Sequence, residues 1–187
     1  MPVPHEFRTE RLLLRRWRPA DREPFAALNA DPRVMKYFPN TQSRQESDAL
    51  VEQVQATFDQ HGFGPWAVEV PNVAPFIGFV GLYIPRFTAH FTPCVEILWR
   101  IAAEHWNRGY ASEAALKALR VGFDVFQLEE IVSFTVPANL PSRRVMEKIG
   151  MHHDEGDDFD HPSFPDGHPL KRHVLYRISR SIRQYTG

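Results

Sequence analysis

The chain has 187 residues, 43% hydrophobic, 12% aromatic and 24% charged, a composition that closes a core of single-domain length and excludes a disordered chain. Lys and Arg number 22 against 23 Asp and Glu, leaving a formal charge of −1, so no global field holds a nucleic-acid backbone or an anionic membrane. The single cysteine, Cys94, excludes an internal disulfide and a cysteine zinc cluster.

Leu12–Trp17 reads as a strand. Pro19-Ala-Asp21 opens a helix through about Asn29, with Phe25 and Leu28 inward. Ser43-Arg-Gln-Glu46 is a capping-box pattern, in which the serine and glutamate satisfy orphan amides of the first turn. Behind it Leu50, Val54 and Phe58 repeat every four residues, and Gly62 ends the helix. Trp66–Val70 and Ile77–Ile84 read as a hairpin around a proline-containing turn. Val95–Ile101 is a further strand, and Gly109 leads into a helix with Ala115, Leu119, Phe123 and Phe126 on one face. Glu130–Val136 alternates as a strand, and Asn139-Leu-Pro-Ser142 starts a short helix that Gly150 ends. Met151–Phe159 and Arg172–Ile178 read as a last pair of strands, with a loop rich in Pro, Gly, His and Asp between them. The order predicts one mixed α/β domain over 1–187, with helices as crossovers late in the chain. The start, Met1-Pro-Val-Pro-His5-Glu6, shows no signal peptide. The longest apolar run, Phe76–Ile84, is nine residues and too short to span a bilayer. A soluble, cytoplasmic protein without membrane or nucleic-acid partners is expected.

No phosphate-loop, dinucleotide, CxxC, HExxH or GxSxG motif is present. The strongest feature is a strand, a short turn, a glycine and a helix: Ile101-Ala102-Ala-Glu-His-Trp106-Asn107-Arg108-Gly109-Tyr110-Ala111-Ser112-Glu113. A helix start leaves amides unpaired and carries positive partial charge, Gly109 permits close approach of a ligand, and Arg108 adds a formal charge. The segment reads either as a phosphate site or as an ordinary helix start. Asn139-Leu-Pro-Ser142-Arg143-Arg144 is a second helix start directly after a strand, a polar edge or simply a cap with surface arginines. In open α/β sheets ligands gather at such strand ends.

Together these residues resemble the GNAT acetyltransferase superfamily, in its RimJ/RimL-like branch. Phe7–Arg15 looks like that branch's opening strand, Glu96–Ile101 with the turn through Ser112 like its acetyl-CoA strand and pyrophosphate turn, and Asn139-x-x-Ser142-x-x-x-x-Glu147-Lys148-x-Gly150 like its following motif. The resemblance spans about Glu6 to Ile178. It implies a twisted, mostly antiparallel sheet of six to seven strands with about four helices, a splayed parallel pair holding acetyl-CoA as co-substrate, and acetyl transfer to a primary amine by direct attack in a ternary complex. The cofactor-binding residues it implies are Trp99, Arg100, Ile101, Ala102, Asn107, Arg108, Gly109, Tyr110, Ala111, Ser112, Asn139, Ser142, Arg143 and Met146. The family's turn usually starts with Gln or Arg, where this chain has Trp106. Many members carry a tyrosine acid four residues after Ser142, where this chain has Met146; the acid role falls to Ser142 or water.

Glu96 is a lone carboxylate in an apolar strand. It reads as the general base, its pKa raised by burial, or as a strand-edge partner of Arg100 or another cation. His152, His153, His161, His168 and His173 fit no metal template and read as surface-loop residues, and no metal is expected. Cys94 reads as a small buried hydrophobe. Asp154-Glu155-Gly-Asp157-Asp158-Phe-Asp160 holds five acids in seven residues, either a lure for a cationic amine or a solvated turn. The acceptor is a protein N-terminus or a small amine; a CoA-binding sensor that lost catalysis is the alternative. The chain is expected to be a monomer or homodimer.

Overall fold

The computed structural model describes residues 6–183. They form two compact units, one running through Tyr83 and resuming over Leu98–Ala118, the other made of Ile84–Ile97 and the residues from Leu119 onward.

In the first unit β1 (Glu6–Arg8), β2 (Leu13–Arg15), β3 (Pro65–Val70) and β4 (Ala74–Tyr83) pair antiparallel in that order, and β5 (Glu96–Ile101) follows β4. The β3–β4 turn is made by Asn72 at φ 62°. At Gly78 a side chain is excluded: a Cβ there would lie 2.1 Å from the Arg100 carbonyl oxygen. Helices α1 (Arg22–Ala30) and α2 (Arg44–His61) bury Phe25, Leu28 and Asn29, and Ser47, Val51, Thr57 and Phe58. The capping box of α2 forms as expected, and Gly62 closes the helix at φ 75°. Its inward stripe differs by one position from the Leu50–Val54–Phe58 repeat, because Ser47 and Val51 take the buried face while Leu50 and Val54 are half-buried. Arg15 is fully buried and bound by Asp21 and Glu69, each at 2.8 Å.

In the second unit β6 (Glu130–Thr135) runs parallel to β5, in register at Glu96 opposite Val132. β9 (Arg172–Ser179) pairs antiparallel with β6, and the two-residue strands β7 (His152–His153) and β8 (Phe159–Asp160) both pair with β9. Helix α4 (Leu140–Lys148) and the single turn α5 (Arg180–Arg183) belong to this unit, and α3 (Tyr110–Asp124) begins in the first unit and ends in this one. The architecture is the expected mixed, mostly antiparallel one with one parallel pair. Among the described residues it has nine strands rather than six to seven; β1, β7 and β8 are only two or three residues long.

Two local expectations are corrected. Met151–Phe159 is not one strand: Asp154 Oδ1 accepts the Gly156 N–H at 2.9 Å and folds Glu155–Asp157 into a 3-10 turn between β7 and β8. Phe126 lies beyond the end of α3, where Gln127 turns the chain at φ 54°.

Candidate active site

The segment before α3 is held open by its own backbone. Asn107 and Gly109 both adopt positive φ, 59° and 80°, the left-handed backbone that anion-binding nests use. Among the described residues, the backbone N–H groups of Asn107 through Ser112 make no hydrogen bond; Glu113 N–H is the first to bond, to Gly109 O at 3.0 Å. Trp106 sits where the family usually has Gln or Arg. Its indole Nε1 donates to Ile101 O at 2.7 Å and ties the turn to the end of β5.

A clamp that sequence reasoning did not single out holds this helix start. Arg11 Nε and N–H donate to Glu113 at 2.7 and 2.9 Å, and Arg11 Nη1 donates to Arg108 O at 3.0 Å. Thr9 Oγ1 donates to Glu113 Oε1 at 2.5 Å, and the Arg11 guanidinium lies 4.9 Å from the centre of the Tyr110 ring. These hydrogen bonds lower the Glu113 pKa against its burial, which raises it. The carboxylate thus anchors the loop without using any of the Asn107–Ser112 amides.

Glu96 begins β5, in no hydrogen bond or ion pair with any described residue. Burial pushes its carboxyl up to about 8, and the Glu96 charge in turn helps hold the neighbouring Cys94 thiol up at about 11, after burial as the main cause. The ion-pair reading of Glu96 is therefore corrected. Arg100, its suggested partner, donates instead from Nη1 to Asn29 Oδ1 at 2.5 Å.

The remaining expected residues divide by how they are engaged. Ile101 is buried and offers its carbonyl to Trp106. The Ala102 amide is not free, since it donates to Ile77 O at 2.9 Å. Trp99 is half-buried, Tyr110, Ala111 and Ser112 are half-buried, and Asn107, Arg108 and Gly109 are exposed. On α4, Asn139 is a cap: its Oδ1 accepts the Ser142 N–H at 3.4 Å and its Nδ2 donates to Thr135 Oγ1 at 2.9 Å. Arg143 Nε donates to the Tyr176 hydroxyl at 3.2 Å and Nη1 to Pro137 O. Tyr176 in turn donates to Glu147 at 3.1 Å. Ser142 is half-buried. Met146 is 1% exposed, and its side chain packs the core.

The late histidines and acids are also placed. His173 is buried, with Phe134 and Phe159 around it, and burial draws its pKa down to about 4; the surface-loop expectation fails for it because the aromatic cluster closes over β9. His153 stacks on Tyr176 and contacts Asp158 at 2.8 Å. Asp157 pairs with Arg177 at 2.6 Å, and Asp160 approaches Arg172 at 3.6 Å. Cations thus face most of the acidic stretch at short range. No helix among the described residues is long and apolar enough to cross a membrane.

Comparison with known proteins places this geometry. The family model described as an acetyltransferase (GNAT) domain matches residues 11–152. The "Uncharacterized N-acetyltransferase YnaD" of Bacillus subtilis (strain 168) is 33% identical over 147 residues, covering 76% of this chain and 80% of that protein. The crystal structure of a GNAT-family acetyltransferase from Bacillus anthracis superposes with a TM-score of 0.78 at 29% identity, covering 94% of this chain and 99% of that one. RimJ of Mycobacterium smegmatis, solved in complex with CoA-disulfide, shares the fold at a TM-score of 0.72 and 19% identity, over 91% of this chain and 83% of that one.

Proposed function

The chain belongs to the GNAT acetyltransferases, and from that premise we propose that it moves an acetyl group from acetyl-CoA directly onto a primary amine, with Glu96 as general base. The observation that carries the cofactor part is the run of unpaired amides from Asn107 to Ser112. Six consecutive donors at the positive end of a 15-residue helix fit the pyrophosphate of a CoA ester, whose oxygens accept several N–H bonds at once. Arg108 adds charge at the same loop, and the Arg11–Glu113 clamp keeps the loop in its binding shape.

Only a neutral amine attacks a thioester. A carboxyl with its pKa near 8 is basic enough to take a proton from an ammonium and is half ionised near pH 8. In the proposed step Glu96 takes one proton from the ammonium, the neutral nitrogen bonds to the acyl carbon, and the C–S bond breaks. The second amine proton passes to the departing thiolate, relayed by Ser142 or water. Direct transfer needs no nucleophile from the protein, so the raised pKa of Cys94 is no obstacle. Holding amine and acyl group together supplies on the order of 7–11 kcal/mol of the barrier reduction.

The test is calorimetric binding of acetyl-CoA together with release of free CoA thiol across a panel of amines. Tight binding with amine-dependent thiol release supports the reading. Binding without release by any amine would leave a CoA-binding module instead.

A further inference from the structure

The first unit packs two arginines into its interior and treats them differently: Arg15 is fully buried, while Arg100 is half-buried with its Nε enclosed. Arg15 has Nε on Glu69, Nη1 and Nη2 on Asp21, and Nη2 also on Pro75 O. Every edge of that guanidinium is met, and two carboxylates neutralise it. Arg100 has one hydrogen bond, from Nη1 to the Asn29 amide oxygen at 2.5 Å. Its Nε is buried with no partner, and no described acid forms an ion pair with it. Its flat faces are covered, with the guanidinium carbon 4.3 Å from the Phe38 ring centre and 5.5 Å from that of Phe79.

A buried cation without a counter-ion is costly, and so is a buried donor left unmade. Burial alone draws the Arg100 pKa down to about 10. Asn29 is tied to a second orphan: Gln42 Oε1 is also buried without a partner, on the residue whose N–H bonds Asn29 O at 2.9 Å. Asn29 itself is fully buried and fixed by Ser47, to whose Oγ its Nδ2 donates at 3.0 Å. The site therefore offers a guanidinium with its stacking faces filled, its Nε buried and unpartnered, and its Nη2 in no hydrogen bond or ion pair with a described residue. A planar two-oxygen anion approaching from the Nη2 side fits the fork geometry particular to arginine.

We propose that Arg100, positioned by Asn29 and stacked by Phe38 and Phe79, binds a carboxylate of the acceptor, so that the preferred amines are amino-acid-like compounds carrying a free carboxylate. The proposal rests on the acetyltransferase reading. The chain supplies Arg15 with its own counter-ions, whereas the counter-ion of Arg100 is delivered by the ligand. Phe38, 40% exposed and belonging to the turns between α1 and α2, is the part of the site nearest solvent.

The test reads binding without turnover, which separates its failure from failure of the acetyltransfer reading. N-acetylated amino acids and their primary amides, the products of acetylating an amino acid and its amide, are titrated calorimetrically into the full-length protein. The expected result is at least 10-fold tighter binding of the acids than of the amides. Arg100→Gln should bring the two within about 2-fold. Asn29→Asp is the variant that keeps the fold: it puts a carboxylate on Arg100 Nη1 in the same shape, so it should raise Tm and still reduce the preference for acids at least 10-fold. Equal binding of acids and amides to the unmodified protein, or a preference that survives in Asn29→Asp, would overturn the proposal and leave Arg100 as a structural brace for α1. Thiol release with amino acids and their amides as acceptors then shows whether the preference appears in acceptor KM.

Discussion

The chain starts two helices directly after strands, and the two starts are built on opposite principles. At α4 the first turn is capped: Asn139 accepts the Ser142 N–H and is itself held by Thr135. At α3 there is no capping side chain, because the preceding residue is Gly109, and the amides from Asn107 to Ser112 are left unpaired. What holds α3 is an outside clamp from Thr9 and Arg11 to Glu113. A cap satisfies donors that a ligand would otherwise use; a clamp on a side chain three residues into the helix orders the turn and leaves those donors available. The difference separates a helix start that serves stability from one that serves binding.

Five substitutions break or sharpen this contrast. The largest effect belongs to the chemistry that follows binding. Glu96→Gln should lower kcat by about 10²–10⁴-fold while acetyl-CoA affinity stays within about 2-fold, and the rise of rate through pH about 8 should vanish from the pH–rate profile. The same residue affects stability with a defined sign. Folded Glu96 holds its proton up to about 8 against 4.5 for an ordinary glutamate, so the unfolded chain has released that proton first. Stability should fall as pH rises between these values and level off above, and Glu96→Gln should flatten the fall in denaturant midpoints measured from pH 5 to 8.5.

Gly109→Val comes next. It forces a β-branched residue into positive φ and narrows the approach to the amides. Acetyl-CoA affinity should drop on the order of 100-fold by calorimetry, equivalent to losing one or two charge-assisted hydrogen bonds. Unchanged affinity in a folded variant would remove the phosphate site from this turn. Arg11→Ala tests the clamp: it should weaken acetyl-CoA by roughly 3–10-fold with little change in kcat at saturation, since it loosens the loop without removing a donor.

The α4 start should respond in the other currency. Asn139→Ala should cost about 1 kcal/mol of stability and shift acetyl-CoA affinity by less than about 2-fold. An affinity loss as large as that of Gly109→Val would show that the two starts act alike. Met146→Leu is the smallest change, under about 1.5 kcal/mol and nearly silent in rate, because it conserves volume at a packed position.

Local chemistry made much of this legible in the sequence. The capping box at Ser43, the stop at Gly62, the Asn139 cap and the strands around Glu96 and Val132 follow from patterns a few residues long, and each formed. The positive φ at Gly109 and the lone carboxylate at Glu96 were equally visible, because glycine and an isolated charge stand out from their neighbours. Some errors came from the same source: the Leu50–Val54–Phe58 stripe and the long strand from Met151 were local patterns overridden by which face met the core and by one aspartate turn.

Which partner each side chain takes was decided only by the tertiary structure. Arg11 and Glu113 are 102 residues apart, Arg100 and Asn29 are 71 apart, and no short pattern links either pair. The sequence offers Arg15 and Arg100 as two similar cations in two strands; the fold gives the first two carboxylates and the second none. It also turns His173 and Met146 inward. Burial and charge pairing depend on what long-range packing brings alongside a residue, and that decides which buried groups are satisfied within the chain and which are left for a ligand.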